Sequence, residues 1–327
     1  MAYDSVHSLA PREAEAGQAD TARTVRIPSL MLLLLVGAML AVSAIFAKAA
    51  PALGWHPLIL LLWSLFAASV LQLAYLLRDG PGLLAASFAE KRPGATRRLL
   101  IYMLVTGVLF AAPNAVAFAA AEHVGAGFVT LTFAFPLVLT YGLSLLLGLE
   151  RLRIPRLIGV LFSLAGGGLF ALGAGALNPS AGWWILLALT APVFLTLGNL
   201  YRSTHWPAGA SPRLLSAGML TIGFGSLLAL AAAMGLPLFP QHLSLAAVVV
   251  LVVQSIMFAV QYILYFQLQK QAGPVYLSQI GSVSAAFGIP LGLVLFHEVP
   301  SPVQIGALFL VLAGIMLVSR CKSEPSK

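Results

Sequence analysis

From residue 29 to residue 319 the chain is a series of long apolar runs, separated by short breaks that hold most of its charges. An apolar helix of about 20 residues rises roughly 30 Å, the thickness of a bilayer's hydrocarbon core. Ten such runs can be drawn, at approximately 29–47, 57–77, 99–120, 126–148, 157–177, 182–201, 214–234, 244–266, 275–296 and 303–319. The pattern predicts an all-α membrane protein with ten transmembrane helices and little chain left for a soluble domain. Residues 1–28 are polar and lack apolar periodicity, so a disordered tail with no signal peptide is expected there.

Composition agrees with the pattern. Hydrophobic residues make up 60% of the chain and charged residues 9%, whereas about a quarter of the residues in a soluble domain are charged. The net charge of +8 raises the question of nucleic acid. The basic residues, however, are divided among short loops and are not gathered on one face, so no nucleic-acid partner is expected. Their distribution sets orientation instead. With the N-terminus inside, 17 of the 18 Lys and Arg fall on the cytoplasmic side and Lys48 alone falls outside. By the positive-inside rule both termini, including a second tail at 320–327, are cytoplasmic. The single cysteine, Cys321, leaves no intramolecular disulfide.

Two stretches have the same form: "LLGLERLRIPRLIGVLFSLAGG", Leu146 to Gly167, and "LFHEVPSPVQIGALFLVLAG", Leu295 to Gly314. Their glutamates, Glu150 and Glu298, stand 148 residues apart, close to half the chain. At that offset Thr106 falls on Gln254, Asn114 on Tyr262, Phe118 on Phe266, Glu122 on Lys270 and Gly125 on Gly273. After the glutamates one residue is lost, and Gly159 and Gly167 fall on Gly306 and Gly314. Residues 29–177 and 182–319 therefore form two five-helix repeats. Because five is odd, the second repeat enters the membrane from the opposite side, an inverted-topology arrangement that can place one site at the midplane.

The doubled order of apolar helix, Glu ("GLERL", "FHEVP"), loop, and a glycine-bearing helix ("SLAGGGL", "LVLAGIMLV") resembles the drug/metabolite transporter superfamily, and within it the ten-helix EamA-type members. The resemblance covers roughly residues 30 to 319. It implies a central cavity surrounded by the first four helices of each half, with the fifth and tenth helices at the periphery. Neither Glu is directly preceded by the Gly usual in that family.

Each glutamate lies just before a helix, where Pro155 and the pair Ser301–Pro302 supply start signals. A carboxylate there meets free amide hydrogens and the positive end of the helix dipole, so a structural role is expected over proton coupling. The glycines Gly159, Gly167, Gly306 and Gly314, with Ser163, are expected to pack the fifth helix on the tenth within the chain; a dimer contact is the other reading.

No acid or base stands near the middle of any run. Pro113, Pro136, Pro192 and Pro290 are expected to interrupt the third, fourth, sixth and ninth helices, each freeing a carbonyl that lipid cannot satisfy. Around them lie the candidate substrate-binding residues: Asn114, Asn199, Gln254, Gln261, Tyr265, Gln279 and Ser282 as polar groups, with Phe118, Tyr141 and Tyr262 as aromatic walls. Lys48 and Arg202 close the first helix of each half and are expected to be snorkelling anchors; gate charges that attract a carboxylate are the alternative.

The spacing excludes the usual catalytic constellations. "HEVPS" lacks the second His of a zinc helix, and neither GxSxG nor GxxxxGK occurs. The chain is thus expected to be no enzyme and to need no cofactor or metal. Its partners are expected to be the lipid bilayer and a small-molecule substrate, with the protein a monomer or a weak homodimer. The resemblance implies export of an amino acid or related metabolite across a bacterial inner membrane by alternating access. Efflux of lipophilic or cationic drugs is the alternative, and the missing midplane carboxylate counts against it.

Overall fold

The computed structural model describes residues 27–79, 94–133, 135–146, 152–173, 179–240, 242–297 and 301–320. The N-terminal tail up to residue 26, Glu150, Glu298 and the C-terminal tail with Cys321 lie outside the described residues. All regular structure among those described is helical. The elements are α1 (Ser29–Ala49), a 3-10 turn (Pro51–Leu53), α2 (Pro57–Asp79), α3 (Ala95–Val124), α4 (Ala126–Thr132) and α5 (Phe135–Leu146). They continue with α6 (Ile154–Gly173), α7 (Pro179–Ala188), α8 (Ala191–Thr204), α9 (Pro212–Ala233), α10 (Leu245–Leu277), α11 (Ile280–Phe296) and α12 (Pro302–Arg320).

Helix starts follow local chemistry. The Ser211 and Ser244 hydroxyls accept the amides of Leu214 (3.2 Å) and Ala247 (3.1 Å), capping α9 and α10. Pro212, Pro192 and Pro302 each open a helix, where the missing amide hydrogen costs nothing. Among the described residues six stretches are long and apolar enough to cross a membrane: Ser29–Ala49, Pro57–Arg78, Ala95–Val124, Gly182–Thr204, Pro212–Ala233 and Leu245–Pro274. Shorter apolar helices are Ile154–Gly166, Ile280–Phe296 and Ile305–Gly314.

The expected proline breaks are corrected in two cases. Pro113 and Pro290 lie inside α3 and α11, which run on through them. A proline removes a single bond from the helical ladder, and the bonds on either side keep the helix continuous. Real breaks precede Pro136, where α4 gives way to α5, and Pro192, where the turn Leu189–Thr190 separates α7 from α8. A further break, unexpected from the prolines, is the turn Ser278–Gln279 between α10 and α11.

The two ends of the molecule are distinct. At the end holding the start of α1, here the proximal end, Ser29 donates to Gln271 Oε1 (3.4 Å) of α10. At the distal end, Trp55 donates from its indole to the Ala247 carbonyl (3.0 Å), and Trp63 to that of Leu238 (2.6 Å). Between them α3 packs on α8 and α9, α10 on α1 and α2, α9 also on α2, and α4 on α11. Gln72 ties three helices in the interior: its amide donates to the Ala259 carbonyl (2.8 Å) and its oxygen accepts from Ser216 (2.9 Å).

The pair α6 and α12 packs through small residues. A Cβ added to Gly314 would strike the Gly159 carbonyl and Ser163, and one added to Gly166 would stand 2.7 Å from the Ala307 carbonyl. The expected intramolecular contact thus runs through Gly159, Ser163 and Gly314. Gly306 takes no part among the described residues, none of which lies within 4 Å of its added Cβ.

Candidate functional site

A cavity of about 50 Å3 lies at the centre, where α1, α3, α8, α9 and α10 meet the breaks before α5 and α11. Val36 and Leu40 come from α1, Phe110 and Asn114 from α3, Leu195 and Arg202 from α8, Met219 from α9, and Gln261, Tyr262 and Tyr265 from α10. Phe133 and Ile280, beside the two breaks, complete the wall. Broken helices belong here, since irregular backbone is tolerated at membrane depth only where protein or a wet cavity receives its polar groups.

Four of the ten sequence-chosen candidates line this cavity: Asn114, Gln261, Tyr262 and Tyr265. The Asn114 amide donates to the Phe110 carbonyl one turn back (2.8 Å). Phe110 meets Tyr262 edge to face, with ring centroids 4.7 Å apart. Gln261 is 1% exposed, and its Oε1 has no hydrogen-bond partner among the described residues. Asn199 stands directly behind the wall, its Oδ1 accepting from Arg202 Nη2 (2.6 Å) and from the Tyr265 hydroxyl (2.5 Å).

The other five are not among the cavity-lining residues. Phe118 is buried in the main hydrophobic core. Tyr141 serves the start of α6: its hydroxyl accepts the Arg153 amide (3.1 Å), and the Arg156 guanidinium lies 5.3 Å from its ring centroid. Gln254 is fully buried farther along α10, its carboxamide without a partner among the described residues. Gln279 caps α11 with its backbone carbonyl, accepting the amides of Ser282 (3.0 Å) and Val283 (3.2 Å). Ser282 has a buried hydroxyl with no partner among the described residues. Position along each helix axis and rotation about it together decide what such residues face, and Gln254, on the same face of α10 as Gln261, is set apart by about 10 Å along the axis.

Arg202 departs most from expectation. It is no snorkelling anchor: 3% exposed, it turns inward. Its Nε donates to Gln269 Oε1 (3.2 Å), and its Nη2 to Asn199 Oδ1 and to the Tyr265 hydroxyl (2.7 Å). Gln269, which the sequence reading passed over, is held by the Asn199 carbonyl (3.2 Å) and Ser203 (3.0 Å). Lys48 behaves differently, with its ammonium 4.8 Å from the centroid of the Phe296 ring.

Toward the proximal end from this network lies a cluster of aromatic rings. Tyr102 stacks on Tyr201 (5.9 Å between centroids) and meets Trp206 (6.5 Å), which reaches Phe266 (5.9 Å). The distal end instead holds a vestibule of about 530 Å3, edged by Trp55, His56, Glu122, His123, Trp184 and Phe239. His123 stacks on Trp184 there, with centroids 4.1 Å apart. Partial burial holds the His56 imidazole below its ordinary value, and the Glu122 carboxylate opposes that shift.

Six membrane-length apolar helices among the described residues define the class: this is a multi-pass α-helical membrane protein. No protein-family model and no curated protein matches the sequence. Among solved structures, one described as "Crystal structure of protein" is similar over 90% of this chain and 98% of its own, with a TM-score of 0.61 at 18% identity. That likeness extends over almost the whole of both chains and shows a shared fold alone.

Proposed function

We propose that this chain is a transporter of the EamA type, moving a small organic solute across a bacterial inner membrane by alternating access, with an amino acid or related metabolite as the exported cargo. The observation that carries the reading is the central cavity, whose polar groups come from both halves of the chain: Asn114 on α3, and Gln261, Tyr262 and Tyr265 on α10. Aromatic packing toward the proximal end and a vestibule at the distal end fit one of two alternately exposed states.

Several features support ten spans in two inverted halves. Exchanging the first five apolar segments with the last five turns the α3–α9 contact into α10–α2, and α3–α8 into α10–α1. The contacts of α6 with α12, α2 with α9 and α4 with α11 are unchanged by the same exchange. Gly125 and Gly273, aligned by the sequence offset, both take a backbone that favours glycine, at φ 85°, ψ 151° and φ 76°, ψ 179°. The breaks near Phe133 and Ser278 also fall in partner segments. With cytoplasmic termini, the proximal end faces the cytoplasm and the vestibule faces out.

Among the described residues lining the cavity, the only charge is the cationic Arg202, which argues against a cationic drug as cargo. The test is transport by the purified protein in liposomes, with amino acids offered from either side, with and without a pH gradient. Counterflow of at least one amino acid is expected; failure of every one, alongside movement of a lipophilic cation, would favour drug efflux.

A further inference from the structure

Arg202 sits in the cavity wall, and no described carboxylate pairs with it. Its three hydrogen-bond partners, Gln269, Asn199 and Tyr265, are neutral, and they use only Nε and Nη2. Nη1 has no hydrogen bond to a described residue. It lies over Gly198, where an added Cβ would stand 3.1 Å away, so a side chain at 198 would crowd it. The described carboxylates, Asp79 and Glu122, are not among its partners. The C-terminal end of α8 and the Tyr265 ring, 5.2 Å from the guanidinium, offset part of the charge, but neither is a full counter-ion. A buried cation is costly until an anion pairs with it.

A second, independent observation lies in the cavity wall: Gln261 lines it, and its buried carboxamide oxygen has no hydrogen-bond partner among the described residues. A guanidinium with no described carboxylate paired to it and a buried acceptor in one cavity wall are complementary to a carboxylate that has a hydrogen-bond donor close to it. A water needs roughly 10–15 Å3 of such space. The cavity's 50 Å3 therefore holds a few waters, or a solute about the size of the smallest amino acids.

We propose that Arg202 Nη1 binds the carboxylate of a small zwitterionic α-amino acid, with Gln261 Oε1 receiving its ammonium group. This inference rests on the transport reading and specifies the cargo's chemistry. Arg202 then has two roles: its Nε and Nη2 hold α8 to α10, while Nη1 is left for the cargo.

The test compares ligands on the unaltered protein, so it does not depend on a variant folding. The thermal unfolding midpoint of the detergent-purified protein is measured with L-alanine, L-serine, L-leucine and L-glutamate, with the α-amide of each, and with inorganic phosphate. The small acids should raise the midpoint, and their amides should bind about ten- to hundredfold more weakly, as expected for loss of a charge-assisted hydrogen bond. Gly198→Ala, which crowds Nη1 and removes none of the three bonding partners, should weaken alanine binding, and Gln261→Leu should do the same. Amides that match their acids, no stabilisation by any acid, or phosphate binding in place of the amino acids would each overturn the proposal. Liposome counterflow separates the two readings. Movement of a solute without a carboxylate, undiminished in Gly198→Ala, leaves the transporter standing and removes the Arg202 anchor. Carboxylate-dependent binding with no movement of any solute does the reverse.

Discussion

Arg202 donates to the hydroxyl of Tyr265 at 2.7 Å while its guanidinium also lies 5.2 Å from the centroid of the same ring, so one tyrosine links α8 to α10 in two ways. Tyr265→Phe keeps the ring and removes the hydroxyl, which also donates to Asn199. Its unfolding midpoint should fall by the equivalent of about 1–3 kcal/mol. Tyr265→Leu should fall further, and an unchanged midpoint in the phenylalanine variant would mean the hydroxyl contributes nothing to the link.

Asn114, Gln261 and Tyr262 face the cavity from two helices. Asn114→Ala, Gln261→Ala and Tyr262→Phe should each reduce transport in liposomes at near-normal expression. Where a hydrogen bond to a charged group of the cargo is lost, apparent affinity should drop roughly ten- to hundredfold. Tyr141→Phe is the control, since its hydroxyl accepts the Arg153 amide: it should affect stability before transport. Parent-like transport by all three cavity variants would place the site elsewhere.

The α6–α12 contact leaves no room at Gly314, whose added Cβ would strike Gly159 and Ser163, whereas Gly306 faces open space. Gly314→Ala should lower stability by about 1–3 kcal/mol, as overpacking does, and Gly306→Ala should be close to neutral. Thermal unfolding of the two variants side by side checks the difference.

His56 stands before α2, and burial lowers its pKa from 6.5 while Glu122 raises it. A lowered folded value means the unfolded chain binds the proton more readily. His56 therefore disfavours the folded state as pH falls from about 6.5 through the folded value, and has no such effect above that window. Glu122→Gln removes the opposing charge and should lower the pKa further. A 15N NMR titration of the imidazole checks this, and a rise would contradict the assignment.

Single cysteines in a Cys321→Ser background test the orientation. Ala52 and His242 are exposed at the distal end, Thr204 and Gln271 at the proximal end. Cysteines at 52 and 242 should react with a membrane-impermeant reagent added outside intact cells, and those at 204 and 271 only after permeabilisation. Labelling of 52 and 204 from the same side would break the inverted arrangement.

The helical character of the chain, the places of its apolar runs, the break at Pro192, the Pro302 helix start and the Gly314 contact were legible in the sequence. Each depends on neighbours along one chain, or on a repeat that the chain states twice. Hydrophobic burial and backbone satisfaction in lipid leave helices as the answer for apolar runs of this length. The offset of 148 also singled out Asn114 with Tyr262, and the two do line one cavity.

What only the tertiary structure decided is rotation and depth. Polar residues recur along α10, and Gln254 and Gln261, seven apart, lie on one face at about 100° per residue. Gln261, Tyr262 and Tyr265 line the cavity while Gln254 does not, because it stands about 10 Å away along the helix axis. Lys48 and Arg202 look alike as cations near helix ends, and packing separates them. Lys48 lies over Phe296, whereas Arg202 is drawn inward by Asn199 and Tyr265 from residues one turn and 63 positions away. A charge at the end of an apolar run can reach water or a partner, and the run itself says nothing of the partner. The neighbouring helix supplies it.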